Sequence, residues 1–308
     1  MDQKGLKKIA NKFRNISFSV LVVLLGALGL AYSYFIEPRR LVVSPTEVKI
    51  GNLDPAFDGL RIVAIGDVHG GSNAVDEEML DRVVALANLQ DPDLVVLLGD
   101  YVAHGYIYSP SRPYHTRMDV NLIAGKLGGL RAKEGVFAVL GNHDGWHGDK
   151  KIADELTAAG IRVLQNEVVR IDRNGRPLRI FGTIDHLQMQ KSWKETSAEL
   201  RTIVESSGSG DIIVLQHSPD VFPVITGELT ISDELRLMIA AHTHGGQIRL
   251  PLLGRPGIPS SYGQKYAYGH IRENDVDMFV TSGIGTSVLP FRFLVPPEIA
   301  VITLKAGN

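Results

Sequence analysis

The chain has 308 residues, 44% of them hydrophobic and 21% charged. That is ordinary globular usage with ample apolar surface for a core, and it excludes disordered, fibrous and low-complexity classes. There is no cysteine, so disulfide frameworks, thiolate zinc sites, iron–sulfur clusters and cysteine nucleophiles are excluded together, and any metal must sit on His, Asp, Asn or Glu. Residues 1–45 carry +5 (Lys4, Lys7, Lys8, Lys12, Arg14, Arg39 and Arg40 against Asp2 and Glu37), which leaves −7 on the remaining 263. A body that acidic repels nucleic-acid phosphates, so no nucleic-acid partner is expected.

The first predicted element is a membrane helix. Residues 16–36 hold 21 positions without a charge, and a helix of that length, at about 1.5 Å per residue, covers the roughly 30 Å hydrocarbon core. Tyr32, Tyr34 and Phe35 lie at its far end, where aromatic rings favour the interface, and Glu37-Pro38 is expected to stop it. A cleaved signal peptide is the other reading, since Ala27-Leu28-Gly29 offers a small-x-small site. Apolarity that continues past that site for a full span favours an uncleaved anchor. Five basic residues precede the span and two follow it. The positive-inside bias therefore leaves a tail, 1–15, in the cytoplasm and puts the body outside a bacterial cytoplasmic membrane crossed once.

Residues 37–55 read as a connector and 56–308 as the catalytic body. There, apolar runs alternate with helical spacing, which argues for βα units around buried sheets. Residues 61–67 read as a buried strand; Leu80, Val83, Val84 and Ala87 follow with the i, i+3, i+4, i+7 spacing of a helix. Residues 93–100 form a second strand, Leu122, Ile123, Leu127 and Leu130 mark a second helix, and 136–142 form a third strand. Further strands are predicted near 161–164, 168–171, 178–181, 212–216, 237–241, 277–281 and 300–304. Loops 103–121 and 251–270 are long and rich in Tyr, Gly, Pro and Arg, and read as a functional rim.

Five short polar clusters punctuate these strands: Asp67-Val68-His69, Gly99-Asp100, Gly141-Asn142-His143-Asp144, Gln216-His217-Ser218 and Ala241-His242-Thr243-His244-Gly245-Gly246. In α/β sheets ligands bind beyond the carboxyl ends of strands, so residues placed there converge on one crevice. Asp67, His69, Asp100, Asn142, His217, His242 and His244 then offer too many donors for one tetrahedral ion and suit two ions sharing a carboxylate. Imidazole and carboxamide each serve one ion, and the set suits Mn²⁺ first, with Fe²⁺ or Zn²⁺ as alternatives. Two such ions roughly 3.5–4 Å apart clamp a hydroxide and the phosphoryl oxygens of a substrate, which favours phosphoester hydrolysis.

In this order the blocks Asp-x-His, Gly-Asp, Gly-Asn-His-Asp, His and His-x-His resemble the calcineurin-like metallophosphoesterase superfamily, over residues 60–304. The resemblance implies an α/β fold, a four-layer α/β/β/α sandwich, here behind an N-terminal transmembrane helix. It also assigns Asp67, His69 and His244 to one ion, Asn142, His217 and His242 to the other, and Asp100 to both, with His143 as the catalytic group beside the leaving oxygen. The segments His242-Thr-His-Gly-Gly-Gln-Ile248 and Pro296-Pro-Glu298 look like the membrane-anchored bacterial branch that includes UDP-2,3-diacylglucosamine pyrophosphate hydrolases.

Departures from the family pattern narrow the chemistry. Branches resembling protein serine/threonine phosphatases read Gly-Asp-Tyr-Val-Asp-Arg-Gly where this chain reads Gly99-Asp-Tyr-Val-Ala103-His104-Gly105. Ala103 can neither orient the His143 imidazole nor ligate iron, which weakens His143 as a general acid and argues against a tyrosinate–Fe³⁺ centre. His104 replaces an arginine that would grip phosphate, which disfavours protein phosphatase activity.

Of the other polar residues, Asp144 either orients a neighbour or caps local backbone. His104, His115, His147 and His186 read as loop or surface histidines, with His104 nearest to a role. Arg112, Arg117 and Arg249 are candidates for a second phosphate or carboxylate. Ile248, Leu250, Leu252 and Leu253 are candidates for core packing, an acyl channel or lipid contact. The leading expectation is a membrane-tethered two-metal phosphoesterase acting on a phosphorylated or nucleotide-linked lipid by attack of a hydroxide held between the ions. The alternatives are a cell-envelope phosphatase or phosphodiesterase for small soluble esters, and a non-catalytic metal-binding scaffold. Oligomeric state is left open.

Overall fold

A computed structural model describes residues 18–104, 116–189 and 191–307. The basic tail, Arg112, His115 and most of loop 103–121 lie outside the described residues. Helix α1, Phe18–Arg39, is long and apolar enough to cross a membrane, and almost none of it is buried. By length and composition it serves equally as a span or a signal sequence. It passes through Glu37-Pro38, where a stop was predicted, and ends one residue later. Residues Tyr32–Ile36 widen into a π turn in which the Glu37 N–H reaches back to the Tyr32 carbonyl, so the proline ring enters on a tight 3-10 turn, Glu37–Arg39.

Twelve strands among the described residues form two six-stranded sheets. The first contains β1 (Val42–Gly51), β2 (Arg61–Ile65), β3 (Leu94–Leu98), β4 (Val136–Val139), β5 (Arg162–Val163) and β12 (Glu298–Gly307), in the order β1-β12-β2-β3-β4-β5. The second contains β6 (Glu167–Arg173), β7 (Arg176–Gly182), β8 (Asp211–Leu215), β9 (Leu235–Ala240), β10 (Gly269–Glu273) and β11 (Val276–Val280), in the order β10-β11-β9-β8-β7-β6. Strands β2 to β5 run parallel, as do β7, β8, β9 and β11, so their carboxyl ends share an edge in each sheet.

Period-2 alternation explains why these apolar runs fold as interior strands. In β2, Ile62 and Ala64 join the layer between the sheets, where they meet Ile180, Ile213, Leu237, Ile239 and Phe279 of the second sheet. Val63 and Ile65 point the other way, under α2 (Glu77–Asn88), α3 (Val120–Leu127) and α5 (Asp149–Ala158). Helices α6 (Trp193–Ser206) and α7 (Phe222–Thr226) cover the second sheet through Leu200, Val204, Phe222 and Ile225. A short helix, α4 (Asn142–His147), follows β4. The layers are thus helix, sheet, sheet, helix, and strands buried on both faces read as continuous apolar runs. Each fully buried aliphatic side chain in the three clusters contributes about 1.5–3 kcal/mol.

One boundary needs correction. The segment read as a connector holds β1, which pairs in parallel with β12 along its whole length, from Val42 opposite Glu298 to Gly51 opposite Gly307. Val48 and Ile50 reach the central core, so the folded body begins at Val42 and not at residue 56. Pro45 and the charged Glu47 and Lys49 hide this strand in the sequence; an edge position tolerates both features. Strand β10, at the opposite edge of the second sheet, escapes notice for a similar reason, since Gly-His-Ile-Arg-Glu alternates weakly.

Candidate metal centre

The polar clusters lie where the strands stop. Asp67 and His69 follow β2, Asp100 follows β3, Asn142 and His143 open α4 after β4, His217 follows β8, and His242 and His244 follow β9. Five of the seven candidate ligands take left-handed backbone: Asp67 (φ 49°), His69 (43°), Asp100 (57°), His242 (70°) and His244 (52°). Non-glycine residues persist in that region only where the surroundings over-determine them, and such strain clusters at functional sites. The strand-end loops also press together closely. A Cβ on Gly141 would sit 2.3 Å from Asp100 Oδ1 and 2.8 Å from His217 Cε1, so only glycine fits.

All seven side chains meet. One ligand atom each from Asp67, His69 and His244 lie within 4.8 Å of one another, and the same holds for Asp100, His217 and His242, and for His69, Asp100 and His143. Asp100 Oδ2 stands between the two groups, 3.4 Å from both His69 Nε2 and His217 Nε2. Asn142 Oδ1 is 3.2 Å from His217 Nε2, and His242 Nδ1 is 3.0 Å from the same nitrogen. Ligands about 2.1 Å from a shared ion are spaced ~3–4 Å apart, so the clustering is that of a two-metal site.

Hydrogen bonds at the rear of the imidazoles test the fit. Nδ1 of His69, His217 and His244 faces the carbonyls of Val102 (3.2 Å), Leu98 (2.7 Å) and Gly285 (3.3 Å) respectively. A proton on each Nδ1 leaves Nε2 pointing inward, the arrangement that second-layer acceptors impose on metal-binding histidines. Burial lowers His69 to about 3 and His244 well below the ordinary histidine value, so both are neutral. Their two Nε2 lone pairs then face each other at 3.2 Å with no proton between them. Asp67 Oδ2 is buried and accepts no hydrogen bond. A divalent cation beside these atoms resolves both conflicts.

Burial opposes charge of either sign across the rest of the site. Burial raises Asp67 to about 7 and lowers His242 to about 4. Burial also opposes charge on Asp100 and His217, but their mutual attraction wins. Asp100 is held well below the usual carboxylate range, and His217 is pushed up to about 10.

His143 stands at the open side of the centre with its ring edge-on to His69, centroids 4.7 Å apart. Its Nδ1 is 3.1 Å from Nδ1 of His104, whose ring stacks on it at 20°, and Trp146 flanks both. His104 therefore orients His143 from the position after Ala103, a role that the sequence reading withheld from Ala103 and left unassigned at His104. Asp144 takes the backbone option: Oδ2 accepts from the N–H groups of Asp100 (2.7 Å) and Gly141 (2.9 Å), and Oδ1 from that of Tyr101 (2.9 Å). It clamps α4 to the loop that carries the central carboxylate.

Outside the cluster, Arg117 donates from Nε to the His104 carbonyl at 3.1 Å. His186 leans towards His242 with centroids 6.2 Å apart, and buried Asp185 beside it shares in the field on both His217 and His242. Neither Asp185 nor Trp146 stands in a recognisable motif. Trp146 falls one helical turn after His143, which is the only sequence signal it offers. Glu298 of Pro296-Pro-Glu298 serves the fold: its carboxylate accepts from Tyr268 Oη, Thr281 Oγ1 and the Ser282 N–H. Leu252 and Leu253, for which core packing was one expectation, are exposed. A cleft of about 790 Å³ opens on Asp100, Asn142, His143, His242 and His244, with Trp146, Leu187, Ile248, Ile258, Val288 and Leu289 on its walls.

Comparison with known proteins agrees with this geometry. The family model described as calcineurin-like phosphoesterase matches residues 60–246. The chain is 30% identical over 282 residues to an uncharacterized metallophosphoesterase, YkuE, of Bacillus subtilis strain 168, covering 91% of each chain. It is also 30% identical over 281 residues to the phosphodiesterase YaeI of Escherichia coli K12, covering 90% of this chain and 93% of that one. Among solved structures, the NAD nucleotidase of Haemophilus influenzae aligns with a TM-score of 0.47 at 14% identity over 73% of this chain, which spans about half (50%) of that structure's length. A family match over more than half the chain and end-to-end similarity to two bacterial relatives place the protein in the calcineurin-like superfamily, as a metal-dependent phosphoesterase with a binuclear site.

Proposed function

We propose that this phosphoesterase is tethered to a membrane and hydrolyses a phosphorylated or nucleotide-linked lipid. In this reading Asp67, His69 and His244 hold one divalent ion, Asn142, His217 and His242 the other, and Asp100 both. The cleft carries the lipid half of the reading: its lining joins candidate metal ligands to the apolar side chains of Trp146, Leu187, Ile248, Ile258, Val288 and Leu289. When bound, a pair of ions neutralises charge on the phosphoryl oxygens and acidifies the attacking water; Mn²⁺ suits the donor set, with Fe²⁺ or Zn²⁺ as alternatives.

The chain's own groups do the rest. His104 engages Nδ1 of His143, which leaves Nε2 to give a proton or hydrogen bond to the leaving oxygen. Trp146, Leu187, Ile258 and Leu289 keep water from the ester and hold its apolar part. Similarity to the Escherichia coli phosphodiesterase supports a diester over a monoester. A UDP-linked diacylglucosamine is one candidate within the class, on the strength of residues 242–248 and 296–298.

We read residues 1–15 as a cytoplasmic tail and 16–36 as an uncleaved single-pass anchor in a bacterial cytoplasmic membrane, with the body on the extracytoplasmic side. A UDP-linked lipid is made in the cytoplasm, so a reporter-fusion topology assay chooses between that candidate and an envelope lipid. The reaction is tested on the full chain in detergent with bis(p-nitrophenyl) phosphate and Mn²⁺, followed by a chelator. Turnover that appears with metal and disappears with chelation is the expected result. The substrate class is tested by lipid analysis of a deletion strain, where one phosphorylated lipid should accumulate. Accumulation of a small soluble phosphoester would transfer the function to that alternative.

A further inference from the structure

The carboxyl end of α1 lies against the body. The Arg292 N–H donates to the Ser33 carbonyl at 3.0 Å, and Asn73 Nδ2 donates to both the Tyr34 carbonyl (2.8 Å) and the Pro290 carbonyl (2.7 Å). The rings of Tyr32 and Tyr34 meet Phe293 and Phe291 edge-on, with centroids 6.3 and 5.6 Å apart. The residues they grip, 290–293, directly follow Val288 and Leu289, which wall the catalytic cleft. This segment is also joined to the loop after the His-x-His pair: the Arg249 N–H donates to the Phe293 carbonyl (2.8 Å), and the Ser287 N–H to Gln247 Oε1 (2.6 Å). Helix end, rim and cleft are one continuous structure.

This collar turns apolar side chains outward. Leu252 (106% exposed), Leu253, Val288 (84%), Leu289 and Leu294 are all exposed, Val288 and Leu289 at the mouth of the cleft. Leu252, Val288 and Leu294 take left-handed backbone, with φ of 68°, 61° and 54°, an outlying conformation for bulky and β-branched residues. Strained backbone that presents apolar tips to the outside points to something outside that receives them. Arg40 and Arg249, both exposed, line one hollow with Leu294 where α1 meets the rim, and Glu37 in the same hollow holds Arg40 Nη1 at 2.9 Å. Apolar tips with cations at one side, beside the aromatic end of a helix of membrane-spanning length, match the headgroup and acyl boundary of an anionic bilayer.

We infer that the collar is a bilayer-docking surface, on which Leu252, Leu253, Val288, Leu289 and Leu294 enter the acyl region while Arg40 and Arg249 meet lipid phosphates. The cleft then opens at the membrane, and an amphiphile reaches the metal centre along the Val288–Leu289 wall without crossing water. The inference rests on the reading of α1 as an anchor and deepens the proposed lipid specificity.

The absence of cysteine makes the test direct. Leu24→Cys on α1, Leu253→Cys and Val288→Cys on the collar, and Leu89→Cys on a distant exposed turn are each given a nitroxide in the full chain, reconstituted into vesicles of phosphatidylglycerol and phosphatidylethanolamine. Collision with oxygen, which concentrates in lipid, is compared with collision with a water-soluble chromium oxalate complex. Labels at 24, 253 and 288 favouring oxygen while 89 favours chromium oxalate is the expected result. If 24 favours oxygen but 253 and 288 favour the chromium complex, the collar faces water and the inference falls while the anchor stands. If 24 favours the chromium complex, the anchor fails and the inference with it. Spin–spin broadening at 253 or 288 identifies a second copy as the occupant and also overturns it.

Discussion

His143 can be separated from the metal ligands by a single substitution. Its side chain approaches Asp100 and His69, yet the resemblance gives it a proton-donor role and no ion. His143→Ala should lower turnover by about 10²- to 10⁴-fold, with metal content by elemental analysis unchanged; loss of metal would make it a ligand instead. Gly141→Ala should do the reverse. A Cβ 2.3 Å from Asp100 Oδ1 displaces the carboxylate between the two ion groups, so metal content itself should collapse. His104→Ala should lower kcat more than it changes KM, because the stacked His143 ring loses the group that fixes its Nδ1, and His104→Asn should restore part of the loss by keeping a polar contact. The ligand types were legible because each sits in a short motif at a strand end. The His104–His143 contact was not, since it joins residues 39 apart in sequence through ring geometry that spacing does not encode.

At the scale of the element, Asp144 shows how a helix start and a strand-end loop become one rigid part. Its carboxylate takes three backbone N–H groups from two segments while fully buried. Asp144→Asn places an N–H₂ against at least one of those donors and should destabilise the protein by about 1–3 kcal/mol, measured by denaturant unfolding. Strands buried on both faces were read correctly from sequence because unbroken apolar runs between turns have few other solutions. Edge strands β1 and β10 were missed because one of their faces is wet, and Pro45, Glu47 and Lys49 are what an exposed edge accepts. Of the exposed tips, Leu252 and Leu253 carried lipid contact as one reading beside core packing, whereas Val288 stands in no motif and offered no signal.

For the whole molecule, the centre couples ion binding to protons. At pH 7 His217, pushed up to about 10, holds its proton, and burial raises Asp67 far enough for it to hold one part of the time. Binding a cation pair therefore releases protons, measured by calorimetry in buffers of different ionisation enthalpy. The sign follows: the bound state holds fewer protons, so affinity should rise as pH climbs from 7 towards 10 and fall below 7 as Asp67 gains its proton. Zero release, or uptake, would contradict the charge assignment.

The position of β12 has a consequence for how the protein is made. It slots between β1, which continues from α1, and β2, the strand that delivers Asp67 and His69. A nascent chain can emit every candidate ligand through His244 while that slot is still vacant. Until residues 298–307 clear the ribosome, two neighbouring backbones lack their shared partner and present unpaired amides to anything nearby. Translation stalled at 297 should thus yield a protease-sensitive species, and release of residues 298–307 closes the first sheet.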